Sequence, residues 1–191
     1  LWGLKDPRLC RLLPLWLDIL EQRACEPSFV IIYRNPLEVN ASISRMDLMD
    51  TQQALNIWLQ HILDAELYSR GYHRAIISYR QLLEDWRGTM RSVAETLSLQ
   101  WPANIDHAER EIVDFLDNSL RHHQLNKEAL SGMPSWIRET YACLEKADRN
   151  GDEDLQSQFD RLGREYRDAV SLFSPLLLSE EQKFREVDSG F

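Results

Sequence analysis

Basic residues are in the minority in this chain: 22 Lys and Arg stand against 31 Asp and Glu, a net charge of −9. A protein that tracks a nucleic-acid polymer needs a basic face, so that class of partner is excluded, while one local basic pocket for a small anion is not. Cysteine is scarce too. Cys10, Cys25 and Cys143 share no CxxC spacing, and the expectation is reduced, buried thiols in a cytoplasmic protein. No apolar run approaches the ~18 residues of a membrane span, and no signal-peptide pattern is read at the start. A glycine-rich GxxxxGK run and an acid placed to hold Mg²⁺ are both missing, which counts against a P-loop kinase-type transferase.

What is present is enough to build a core: 43% of the residues are apolar. Leucines and Trp16 recur at helical spacing over 9–24, with Pro14 as a kink or a start. The run Ser28-Phe29-Val30-Ile31-Ile32-Tyr33 reads as a strand buried on both faces, central in a parallel sheet. Pro36 suits the first turn of a helix reaching about Arg45. A long amphipathic helix spans 51–70, capped by Asp50 or Thr51 and closed by Gly71. A second strand covers 75–78 and ends at Tyr79, followed by helices over 80–86 and 88–97. Beyond Trp101 the pattern predicts helices over 106–117, 134–147 and 152–173, a break at Asn150-Gly151 and a frayed tail from Ser179. The organisation is thus an α/β portion, 1–101, and a helical portion, 102–191, of one domain.

Three short segments stand where chemistry is expected. Lys5-Asp6-Pro7-Arg8 precedes the first helix. Arg34-Asn35-Pro36 leaves the first strand, with Ser42 eight residues after Arg34, and Tyr79 ends the second strand. Open parallel sheets bind ligands outside the carboxyl ends of their strands, and a helix starting there offers N–H groups to an anion. Arg34 supplies a forked donor for a phosphate, the Ser42 hydroxyl lies about two turns along, and the Tyr79 ring can lie against a base. Taken singly, each residue has an ordinary reading as surface charge or tolerated helix serine.

In combination these residues resemble the PAPS-dependent sulfotransferases, with bacterial carbohydrate-type members nearest in character. The likeness rests on Lys-Asp-Pro-Arg, the apolar helix, the strand-Tyr-Arg-Asn-Pro segment with its later Ser, Trp58 and ISYRQLLEDW over 77–86. It weakens after Trp101, although FLDNSLRHH over 115–123 is also similar. The resemblance implies a helix-rich, parallel-sheet, P-loop-like sulfotransferase fold lacking its N-terminal strand-loop-helix. It implies that Arg34 and Ser42, helped by Arg45, hold the 3′-phosphate of PAPS or of its product 3′,5′-adenosine bisphosphate. Tyr79 would meet the adenine, and Lys5 would neutralise charge on the leaving phosphate. The acceptor would be a hydroxyl on a carbohydrate or small metabolite, with no metal involved. The family's donor loop, normally earlier in the chain, has no counterpart, and neither has its general base. The expectation is therefore a fragment of a longer enzyme, inactive alone. A non-catalytic helical interaction module is the rival reading.

Other motifs carry less. His107, His122 and His123 lack the partners at helical spacing that a metal site needs. Asp148 to Asp154 does not follow the order of a calcium loop and reads as an acidic interhelical turn. The six tryptophans read mostly as core anchors. The C-terminal helices, alternating in charge, read as solvated faces that can also form a homodimer contact or cover the acceptor cleft, and an exposed sheet edge would need a similar cover.

Overall fold

The computed structural model describes residues 1–44, 49–101, 105–116 and 130–188, with backbone alone for 105–108, 153 and 176–188. Its elements are α1 (Leu9–Gln22), β1 (Ser28–Tyr33), α2 (Pro36–Ser44), α3 (Thr51–Tyr68), β2 (His73–Ser78), α4 (Tyr79–Glu84), α5 (Trp86–Thr96), α6 (Ile105–Phe115), α7 (Ser135–Asn150), a 3₁₀ turn (Glu153–Leu155) and α8 (Gln156–Asp188). The architecture is α/β and helix-rich around a two-stranded parallel sheet.

Local chemistry explains the boundaries. Asp50 caps α3 by accepting from Gln53 N–H, while the Gln53 side chain accepts from Asp50 N–H, a reciprocal capping box. Gly71, at φ +81°, turns the chain from α3 into β2, and Gly151, at φ +78°, ends α7. Asp85 separates α4 from α5, accepting from Gly88 N–H at 2.9 Å. Pro14 is carried inside α1 without ending it.

β1 and β2 pair in register from Ser28 with His73 to Tyr33 with Ser78, joined by the crossover through α2 and α3. One core gathers Ile31 and Tyr33 of β1, Ile76 of β2, Leu55, Trp58 and Ile62 of α3, Leu144 of α7, and Phe159 and Leu162 of α8. The two sequence portions therefore share it. A smaller core on the opposite face of β2 holds Ala75, Ile77, Val93 and Leu97.

Several expectations are corrected. β1 is not buried on both faces: Val30 and Ile32 stay 42% and 47% exposed. They lie on the face shared with Ala75 and Ile77, and α5 covers that face over β2 only. Helix α8 does not end near 173 but continues through Pro175 and the expected frayed tail to Asp188. Tyr79 opens α4 rather than ending a strand. Cys25 is exposed, and only Cys143 is buried among the three free thiols. The tryptophans serve as core anchors only in part: Trp58 is buried, Trp136 and Trp101 pack half-buried against the two cores, and Trp2 is largely exposed. Among the described residues no helix is long and apolar enough to cross a membrane.

Candidate functional site at the strand ends

The register decides what meets at the carboxyl end of the sheet. Tyr33 pairs with Ser78, so the next residues on the two strands are Arg34 and Tyr79. The Arg34 guanidinium lies over the Tyr79 ring, 4.9 Å from its centroid. Asn35 bends the chain from strand to helix. Its side-chain oxygen accepts from Leu37 N–H at 2.9 Å, and its carbonyl accepts from Glu38 and Val39, with the buried Pro36 opening α2. Trp58 of α3 donates its indole N–H to the Arg34 carbonyl at 3.1 Å, tying this turn to the main core.

Within the turn, Arg34 Nε donates to Glu38 Oε2 at 2.9 Å, four residues on. The guanidinium is thus held on one edge by a carboxylate and on one face by a ring. Its two terminal amino groups make no hydrogen bond or ion pair among the described residues. Ser42 follows Glu38 by one helical turn on the same side of α2, half-buried and without a hydrogen-bond partner among the described residues. The expected convergence of Arg34 and Tyr79 is present, and Ser42 stands on the corresponding side of its helix.

Lys5 does not join them. Lys5 is exposed ahead of α1, and no hydrogen bond or ion pair joins it to the Arg34 turn. Arg45 lies outside the described residues, as do His122 and His123 and most of the FLDNSLRHH segment; the His107 side chain is outside them too. Arg8 steadies Asp6: its Nε and Nη2 reach the two carboxylate oxygens at 3.0 and 2.8 Å, and its backbone N–H adds a third bond. These bonds hold the Asp6 carboxyl well below the usual carboxylate range.

Sequence reasoning missed Glu38 and Asp148. The first had a readable signal, an acid four residues after Arg34 at the head of a helix. The second had none, because its partner comes from another part of the chain. The Tyr33 hydroxyl donates to Asp148 Oδ2 at 3.0 Å, beneath an edge-on contact between Tyr33 and Tyr141. Burial pushes the Tyr33 phenol up, and the adjacent Asp148 carboxylate adds to the effect. Burial raises Asp148 as well, against hydrogen bonds from Tyr33 and the Ser78 backbone that work to lower it. The acidic turn is therefore a tie between α7 and the sheet.

A separate recess of about 280 Å³ opens along the outer edge of β2, between Thr89 and Ser92 of α5 and Asp148 and Asp152 beyond. None of Lys5, Arg34, Ser42 and Tyr79 lines it. Among the described residues no cluster of His, Cys, Asp and Glu is arranged to hold a metal ion. No family model matches this chain, and neither a curated protein nor a solved structure does.

Proposed function

We propose that this chain binds a 3′-phosphorylated adenine nucleotide at the carboxyl ends of β1 and β2, as the donor half of a PAPS-dependent sulfotransferase. One observation carries the reading. The Arg34 guanidinium is fixed over Tyr79 and by Glu38, with two donors left unpaired among the described residues, at the end of a parallel strand that runs into a helix N-terminus. That is the chemistry a phosphate monoester selects: a planar fork of donors beside the positive end of a helix dipole. Ser42 adds a hydroxyl one turn beyond Glu38, and Tyr79 keeps part of its ring for a base.

In this reading PAPS is the donor, 3′,5′-adenosine bisphosphate the product, and a carbohydrate or small-metabolite hydroxyl the acceptor, in a cytoplasmic, metal-free reaction of the sulfotransferase fold. Lys5, which makes no hydrogen bond or ion pair among the described residues, is the cation proposed for the leaving phosphate. Lacking a donor loop, the 191-residue chain is expected to bind the nucleotide without transferring sulfate.

Titration with 3′,5′-adenosine bisphosphate and with AMP tests the reading. The bisphosphate should bind tighter, and Arg34→Ala should erase the preference, weakening bisphosphate binding roughly 10- to 150-fold, the worth of a charged hydrogen bond. Equal affinity for the two nucleotides would refute it.

A further inference from the structure

We infer that Glu38 both aims Arg34 and restrains its affinity for anions, so that this carboxylate sets how tightly the strand-end site holds a phosphate. The inference rests on the nucleotide reading above and adds a residue that reading does not require.

Glu38 Oε2 accepts from Arg34 Nε at 2.9 Å, and the two side chains are only 16% and 25% exposed. Binding through Nε alone is selective. It fixes the plane of the guanidinium over Tyr79 while leaving the two terminal amino groups for another acceptor. Lacking that bond, a long arginine side chain keeps more rotamers, and ordering them would be charged to the ligand. Glu38 is also the one acid in the first turn of α2, where its charge offsets the positive helix end. The same negative charge that orients the donor thus opposes an incoming phosphate twice, by partly neutralising Arg34 and by countering the helix dipole. Both side chains are largely withdrawn from water, so screening of this opposition is incomplete.

The two effects separate by substitution. Glu38→Gln keeps an oxygen able to accept from Arg34 Nε but removes the charge. Glu38→Asp keeps the charge and withdraws the oxygen by one methylene. A residue that merely supports the fold would leave the unsubstituted protein as the tightest binder. The inference instead orders bisphosphate affinity as Gln above Glu above Asp, with steps of roughly 1.5- to 5-fold. The step from Glu to Gln should shrink as salt rises from low to high ionic strength.

The experiment measures Kd for 3′,5′-adenosine bisphosphate on the full chain and both variants at two salt concentrations, with thermal melts to confirm folding. Glu38→Gln binding no tighter than the unsubstituted protein overturns the restraining role. Glu38→Asp binding as tightly as the unsubstituted protein overturns the aiming role. Should the unsubstituted protein fail to distinguish the bisphosphate from AMP, the nucleotide reading falls by itself. The same three proteins titrated with inorganic phosphate then judge Glu38, the same order being expected and any other order, or no phosphate binding, defeating it.

Discussion

Tyr33 ends β1 with its ring in the core and its hydroxyl donated to Asp148, and the next residue is Arg34. The residue that this carboxylate anchors therefore immediately precedes the arginine proposed to meet the ligand. Its protonation matters for stability. Asp148 is raised in the folded state, chiefly by burial, so the folded chain holds that proton more tightly than the unfolded chain. The stability from this group is full below the unfolded value, about 4, and declines as pH rises through the folded one. Asp148→Asn keeps an acceptor for the Tyr33 hydroxyl and has no charge to bury. The melting temperature of the variant relative to the unsubstituted protein should be near zero difference at about pH 3.5 and positive at about pH 7. Asp6 and Asp160, held low by Arg8 and Arg70, act in the opposite sense but in both proteins equally, and so cancel. A variant less stable at neutral pH would mean that the hydrogen bonds of the carboxylate outweigh its burial.

At the scale of elements, the two faces of β1 differ in what covers them. Ile31 is 8% exposed against α3 and the C-terminal helices, whereas Ile32, next to it, is 47% exposed. Ile31→Ala should cost about 2–5 kcal/mol and Ile32→Ala less than about 1 kcal/mol in chemical denaturation, if only buried methylenes count. Equal costs would show that the outer face is covered in solution. That distinction was not readable in the sequence. An unbroken run such as Phe29-Val30-Ile31-Ile32 states that both faces are apolar, not that both have a neighbour. Capped and punctuated elements were readable: the cap at Asp50, Pro36, Gly71 and Gly151 each act on backbone a few residues away. The meeting of Arg34 with Tyr79 was readable in outline, since both follow the strands of one parallel pair. Asp148 against Tyr33 was not, because it depends on where α7 ends once folded.

Across the whole molecule, the pieces are joined by an ion network whose centre is out of water. Glu66 of α3, 2% exposed, accepts from Arg70 through both oxygens at 2.8 and 2.6 Å and meets Arg74 of β2 at 3.3 Å. Arg74, 8% exposed, also donates to the Glu66 carbonyl at 2.6 Å and to Ser69 Oγ at 3.1 Å, and pairs with Asp152 ahead of α8. Arg70 extends the chain of charges to Asp160 on α8 at 2.5 Å. One helix, one strand and the acidic turn between α7 and α8 thus converge on a single arginine. Arg74→Met keeps much of its volume and removes its charge, leaving the buried Glu66 with one cation and stranding Asp152. Breaking a buried pair from one side costs about 3–5 kcal/mol, a large share of a typical domain's stability. For a chain of this size the melting temperature should fall by roughly 6–20 °C. Arg161, which bridges Glu139 and Glu165 with all three side chains more than 40% exposed, is the control. Its change to Met should cost less than about 1 kcal/mol, because water replaces what is lost. If Arg74→Met proved as mild as Arg161→Met, the convergence on Arg74 would be packing alone, and the C-terminal helices would be held by Leu144, Phe159 and Leu162 without help from charge.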